Sequence, residues 1–231
     1  MCFSAASSFG SSFVLAVAAV ITLKNVRTPS QIPFAAIPIL FSIQQVAEGL
    51  LWLNVPDSTN QSLIYVSTYG FLSFAMVVWP TWVPLSVLLF AQNKQRTRSL
   101  YALLLLGSIL SLHLGILLFW YGATAHIVGH HIYYEMSPFN QLSMSSSVCY
   151  GIVTIVPTFL SGSKKMWVFG FTTSITYIVT MVFYEYYAIS VWCFFSAVMS
   201  ILVYAILKES NNNRRVDLQE QEIISAQFAA V

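Results

Sequence analysis

Apolar stretches of membrane-spanning length alternate with short polar segments along the chain. A bilayer core needs about 20 apolar residues per helix, and seven stretches approach that length, at roughly 9–23, 33–53, 61–90, 100–121, 144–160, 166–184 and 189–207. They lack the period-2 alternation of a membrane β-barrel. The pattern predicts an all-α, polytopic membrane protein, with a seven-transmembrane-helix bundle over residues 1–207 and a polar, partly disordered tail over 208–231.

Positive charge occurs only in alternate segments between these stretches. The ten basic residues form four clusters: Lys24 and Arg27; Lys94, Arg96 and Arg98; Lys164 and Lys165; Lys208, Arg214 and Arg215. Basic loops remain cytoplasmic, so this order predicts an outer N-terminus and a cytoplasmic C-terminus in a bacterial inner membrane. Because no basic residue precedes Lys24, we expect an uncleaved first helix rather than a secretory signal peptide.

Composition limits the kinds of partner that the chain is expected to have. Charged residues make up 8% of the chain and hydrophobic residues 57%, whereas soluble domains carry about 25% charged residues. The net charge of +2 is too small and too segregated to indicate nucleic acid, so membrane lipids are the expected surroundings.

Pro80 and Pro84 predict a kink, a break or a re-entrant piece at the inner end of the third stretch.

An acidic residue inside the second stretch carries the strongest chemical signal. Glu48 follows Gln44 and Gln45 by one helical turn, so the three polar groups share a face. A charged residue at mid-membrane costs about 2.5–3.5 kcal/mol on insertion scales. One interpretation is a functional centre, in which Glu48 acts as general base, metal ligand or proton site and the two glutamines bind a ligand. The alternative is an interhelical hydrogen bond that only stabilises the bundle.

Three histidines suggest a metal centre. His113 lies in the fourth stretch at a depth similar to that of Glu48, and His126 and His130 lie in the outer segment 122–143. If that segment is helical, His126 and His130 stand at i, i+4, a spacing that chelates zinc. The alternatives are a hydrogen-bonded core histidine at 113 and an amphipathic helix at the membrane interface.

The cysteines all belong to the predicted outer half. Cys2 becomes the N-terminal residue if Met1 is removed, and its amine and thiol then form a candidate ligand-binding pair. Cys149 and Cys193 lie at comparable predicted depth, where they form either a disulfide or two inert thiols.

Three strings resemble an uncharacterised family of short bacterial multi-spanning membrane proteins. They are the opening Met1-Cys2-Phe3-Ser4-Ala5, the run Gln44-Gln45-x-x-Glu48-Gly49-x-x-Trp52, and the run Trp79-Pro80-x-Trp82-Val83-Pro84. The resemblance implies a bacterial multi-spanning protein and no established activity. Span number and orientation are also similar to those of alkaline ceramidases, but their Ser, Asp and paired His residues are not matched here.

Three functions are compatible with these patterns. The first is a zinc-dependent hydrolase acting on a lipid or peptide, with His113, His126 or His130 as metal ligands and Glu48 moving the proton. The second is a transporter or receptor for a small ligand or a proton, without metal. The third is a structural assembly partner. The sequence leaves the substrate and the oligomeric state open.

Overall fold

A computed structural model of the chain describes residues 4–58, 60–91, 96–136, 144–183 and 188–229, apart from the side chain of Met144 and several side chains between 188 and 229. The elements are α1 Ala5–Lys24, α2 Ile32–Ala35, α3 Ile37–Asn54, α4 Gln61–Ser73, α5 Trp79–Phe90, α6 Thr97–Tyr121, β1 Thr124–Val128, β2 His131–Glu135, α7 Met144–Leu160, α8 Lys164–Phe183 and α9 Ala188–Ala229. A 3-10 turn, Pro29–Gln31, precedes α2, and a π-helical segment, Phe74–Val78, joins α4 to α5.

Five helical stretches within the described ranges are long and apolar enough to cross a membrane. They are Ala5–Lys24, Pro29–Asn54, Gln61–Phe90, Thr97–Tyr121 and Lys164–Phe183, and α7 adds a shorter apolar helix. In a bilayer only helices and closed barrels satisfy every backbone polar group. The predicted helical class is therefore confirmed, and the five stretches are compatible with a membrane protein.

Helix pairs that are adjacent in the chain build most of the bundle. α1 packs along α3, α3 packs against α4, α5 packs against α6, and α8 packs against α9. Their ends follow ordinary capping rules: the Ser4 hydroxyl accepts the Ser7 N–H at 3.2 Å, and the Asn60 side chain accepts the Leu63 N–H at 3.1 Å. α3 also contacts α9, so α3 lies within the bundle with neighbours on several sides.

The third stretch is neither broken nor re-entrant. Pro80 lies in the first turn of α5, where a missing N–H is tolerated, and the π-helical segment just before it takes up the irregularity. Pro84 lies inside α5 and lacks the N–H that would bond the Pro80 carbonyl. Gly107 of α6 packs so closely on that carbonyl oxygen that a Cβ would overlap it. The prolines therefore create a contact site for α6 within one continuous span.

The segment after α6 contains a β-hairpin instead of the expected helix, so the fold is mostly helical rather than all-α. β1 and β2 are antiparallel, with Val128 opposite His131 and Thr124 opposite Glu135. β-branched and aromatic residues favour strands, and Gly129 adopts φ +61° at the first of the two loop positions. The hairpin is anchored in the bundle by Tyr134, whose ring stacks on Phe71 of α4 at 4.9 Å.

The tail that was expected to be partly disordered is helical in the described residues. α9 continues past Leu207 without interruption as far as Ala229. The proposed boundary between 207 and 208 therefore falls inside one helix, where the composition changes from apolar to polar.

Candidate functional site

Glu48 lies in the interior of the bundle. Its exposed fraction is 0%, and the two glutamines before it are buried as well. α3 holds all three side chains on the part of its surface that α1, α4 and α9 cover. A carboxyl group in such a place needs hydrogen-bonding or charged partners, because burying it alone is costly.

The two glutamines have different roles. Gln45 donates from Nε2 to Oε2 of Glu48 at 3.1 Å. Gln44 instead accepts through its Oε1 from the indole Nε1 of Trp79 at 2.9 Å. Its Nε2 donates to the Phe71 carbonyl oxygen at 3.4 Å. Gln45 therefore belongs with Glu48, whereas Gln44 ties α3 to α4 and α5.

Three buried polar atoms on α1, α3 and α4 have no hydrogen-bond partner among the described residues. They are the Ser8 Oγ of α1, the Trp52 Nε1 of α3 and the Ser67 Oγ of α4. Buried polar side-chain atoms are nearly always hydrogen-bonded. Three exceptions in one region require an explanation.

Helix geometry places Ser8 and Ser67 close to the level of Glu48 and Trp52 one turn beyond it. The Gln44–Phe71 contact sets the register of antiparallel α3 and α4, and one turn outward from it Ser67 is level with Glu48. Ser12 bonds Ser42 between α1 and α3, so Ser8, one turn outward, is level with Gln45. Trp52 follows Glu48 by one turn on the same helix face. We name Ser8, Gln45, Glu48, Trp52 and Ser67 the Glu48 cluster.

Sequence reasoning missed Ser8, Trp52 and Ser67 as members of this cluster. A single serine in an apolar helix carries no signal of its own, because serines commonly bond back to their own helix. Only the spacing between Glu48 and Trp52 was readable from the sequence.

His113 does not join Glu48. Its side chain is exposed on the outer surface of α6, and α6 packs mainly against α5 and α7 rather than α3. The fold therefore does not bring His113 together with Glu48, and metal binding by His113 stays a prediction.

The hairpin removes the i, i+4 geometry from His126 and His130. His126 lies in β1 opposite Tyr133, whereas His130 occupies the loop. His126 Nε2 lies 3.4 Å from Glu135 Oε2 and 3.0 Å from Thr124 Oγ1, on an exposed face. Within the described residues, no three His, Cys, Asp or Glu side chains come together as a metal site would require. Catalytic zinc usually takes three protein ligands.

The cysteine predictions have separate outcomes. Cys2 and the side chain of Cys193 lie outside the described residues. Cys149 is a free, half-buried thiol, so the alternative of a disulfide is not realised.

The comparisons with known proteins identify a family but no activity. The model of DUF6629, a family of unknown function, matches residues 1–218. Neither a curated protein nor a solved structure matches the chain.

Proposed function

The chain belongs to DUF6629, a family of unknown function, and we propose that it is a small-ligand transporter or receptor of the bacterial inner membrane. In this proposal seven helices span the bilayer, with the N-terminus outside and the C-terminus in the cytoplasm. The Glu48 cluster binds a small polar ligand that carries positive charge, or a proton. Membrane lipids surround the bundle.

Contacts between the basic segments support the orientation. Arg96 donates to the carbonyl of Phe159 at 3.2 Å, and Lys165 lies 3.5 Å from that of Ala205. Asn211 donates to the Asn25 carbonyl at 2.7 Å. These contacts bring all four basic segments to one end of the bundle, as the distribution of Lys and Arg across a membrane demands. Glu48, one turn before Trp52 near the outer end of α3, belongs to the other half.

The observation that carries the ligand proposal is the set of unpartnered atoms beside a buried carboxyl group. Ser8 and Ser67 offer two hydroxyl groups close to the level of Glu48, and Trp52 offers one N–H a turn further along α3. A carboxylate inside a membrane protein is neutralised by a cation or a proton. Hydroxyl and carboxylate oxygens accept from an ammonium group, and the indole N–H donates to a neighbouring ligand oxygen. A small amine with a hydroxyl or carboxyl oxygen fits this donor and acceptor set.

Zinc-dependent hydrolysis lacks this support. The histidines that suggested it lie on the surface of α6 and on the exposed hairpin, and no described side chain supplies Glu48 with a metal-binding partner set. The structural alternative is distinguished from ligand binding by experiment.

Thermal unfolding of the detergent-purified chain tests the proposal. The midpoint is measured with ethanolamine, choline, glycine and sodium chloride for the wild type, Glu48→Gln and a matched control, Glu135→Gln, which neutralises an exposed hairpin carboxylate. We expect at least one amine to raise the midpoint of the wild type and of the control but not that of Glu48→Gln. If the shift survives in Glu48→Gln, the cluster is not the binding site. If Glu48→Gln lowers the midpoint and no probe shifts any protein, Glu48 is structural.

The orientation has its own test. A fluorescent protein that folds only in the cytoplasm is fused after residue 231. Cytoplasmic fluorescence from intact cells agrees with the proposed orientation, whereas a dark fusion that becomes accessible to external protease contradicts it.

A further inference from the structure

A cleft opens at the basic end of the bundle, far from the Glu48 cluster. It has a volume of about 430 Å³ and lies between the segment after α1 and the polar part of α9. Its described lining is Asn25, Arg27, Lys208, Asn211, Asn212, Arg214 and Arg215. The lining therefore combines four basic side chains with three amides and contains no carboxylate.

Hydrogen bonds fix the two walls of this cleft relative to each other. Asn211 donates through Nδ2 to the Asn25 carbonyl at 2.7 Å and accepts through Oδ1 from Gln31 at 2.9 Å. Gln31 is buried and accepts the Arg27 backbone N–H at 2.8 Å through its Oε1. A pair of side-chain amides thus connects segments about 180 residues apart and holds Arg27 opposite α9.

The spacing on α9 directs several polar groups into the same cleft. Lys208, Asn211, Asn212 and Arg215 stand at i, i+3, i+4 and i+7, which is one face of a helix. The carboxylate of the adjacent Glu209 does not line the cleft: its Oε2 lies 3.6 Å from the Nζ of Lys165. Among the side chains that the structure describes, positive charge therefore accumulates in the cleft without a carboxylate in its lining.

Topology alone does not account for this arrangement. The preference of Lys and Arg for the cytoplasmic side requires only that they lie on that side, and Lys24 and Arg98 satisfy it from exposed positions outside the cleft. Four cations around one cleft repel one another, and a bound anion relieves that repulsion. Guanidinium groups are well suited to phosphate, which they bind in a bidentate fashion.

The depth of the cleft indicates the source of the phosphate. The apolar part of α1 ends at Leu23 and that of α9 ends at Leu207, immediately before Lys24 and Lys208. The cleft therefore lies where the hydrocarbon core meets the headgroup layer, and the cytoplasmic leaflet is rich in anionic lipids. We propose that this cleft binds the phosphate of an anionic phospholipid headgroup.

Binding of soluble lipid to the full-length chain tests this site. The delipidated protein in a nonionic detergent is titrated with dioctanoyl phosphatidylglycerol, dioctanoyl phosphatidylcholine and inorganic phosphate, and the dissociation constants are compared. The test variant is Arg27→Gln with Arg215→Gln. The matched control is Lys24→Gln with Arg98→Gln, which removes the same charge at the same end of the bundle. Size-exclusion profiles and melting without lipid verify that each variant folds.

Phosphatidylglycerol is expected to bind the wild type and the control with similar dissociation constants. It should bind the cleft variant at least about tenfold more weakly. It should also outcompete phosphatidylcholine. Inorganic phosphate that binds as tightly as phosphatidylglycerol, and is lost in the same variant, would keep the anion site but overturn its assignment to lipid. Equal loss in the cleft and control variants would reduce the effect to general charge and overturn the site. Glu48 variants should bind the lipid normally, so this result is independent of the proposed function.

Discussion

The indole of Trp79 donates to Oε1 of Gln44 across 2.9 Å, and both side chains are buried. This bond connects α3 to the start of α5, directly after the π-helical segment. The Trp79 ring also stacks on Phe41 at 3.9 Å, so the indole is held from two directions. Because the bond engages the Gln44 carbonyl oxygen, Gln44 connects the helices of the bundle, and ligand binding, which the sequence suggested for both glutamines, stays a prediction.

Replacing Trp79 by Phe keeps an aromatic ring but removes the indole N–H. Taking a donor away from a buried acceptor costs about 1–3 kcal/mol, so we expect a clear loss of thermal stability in detergent. Trp120→Phe is the control, because Trp120 is 80% exposed and substitutions at such sites change stability by about 0.5 kcal/mol or less. Equal midpoints for the two variants would show that the Trp79–Gln44 bond does not contribute to stability.

The contact between α5 and α6 predicts a sharp difference between two glycines. A Cβ at Gly107 would overlap the Pro80 carbonyl oxygen, a backbone atom that cannot move aside. Gly107→Ala should therefore destabilise the bundle by about 1–3 kcal/mol. At Gly70 no atom lies within 4 Å of the place that a Cβ would take, and alanine is the better helix former by about 1 kcal/mol. Gly70→Ala should match or exceed the wild type in the same melting experiment, and a stable Gly107→Ala would refute the close approach.

Two buried serines separate folding from ligand binding. Ser42 donates to the Ser12 carbonyl at 2.8 Å, so Ser42→Ala should cost about 1 kcal/mol. The hydroxyl of Ser67 has no partner among the described residues, so Ser67→Ala should leave stability unchanged or raise it by on the order of 1 kcal/mol. If a ligand occupies the Glu48 cluster, Ser67→Ala should also reduce the ligand-induced rise in midpoint. A destabilised Ser67→Ala protein with a full ligand response would contradict both expectations.

The elements that sequence predicts well are those defined by apolar length. The fourth stretch was expected at 100–121 and α6 spans Thr97–Tyr121, because a run of leucines long enough to cross a bilayer leaves few other solutions. The hairpin was missed because each strand has only five residues, and the spacing of His126 and His130 suits a helix equally well. A five-residue alternation is too short to outweigh that spacing.

The site was readable only in part, for a topological reason. Glu48 and Gln45 are three residues apart, so helix periodicity alone predicts their contact. Ser8 and Ser67 reach the same level through the packing of α1 and α4 on α3, and helix order within a bundle is not encoded locally. The same reason applies to His113: its position along α6 is readable from sequence, but the direction in which it faces is not.

Acid should destabilise the hairpin through His131. Burial lowers the pKa of His131 below its ordinary value of 6.5, and the adjacent His130 adds to the shift by charge repulsion. Because the folded protein then binds a proton less readily than the unfolded chain, stability rises with pH through this window. The contribution of His131 is complete above about pH 6.5 and is lost progressively as the pH falls below that value. Thermal melting from about pH 7.5 to about pH 5.5 should therefore show a falling midpoint in the wild type, and a smaller slope of midpoint against pH in His131→Gln.

His113→Gln removes a histidine from the surface of α6 and should retain the slope of the wild type. If His131→Gln keeps the full slope, another group controls the acid response, and the partial burial of His131 has no part in it.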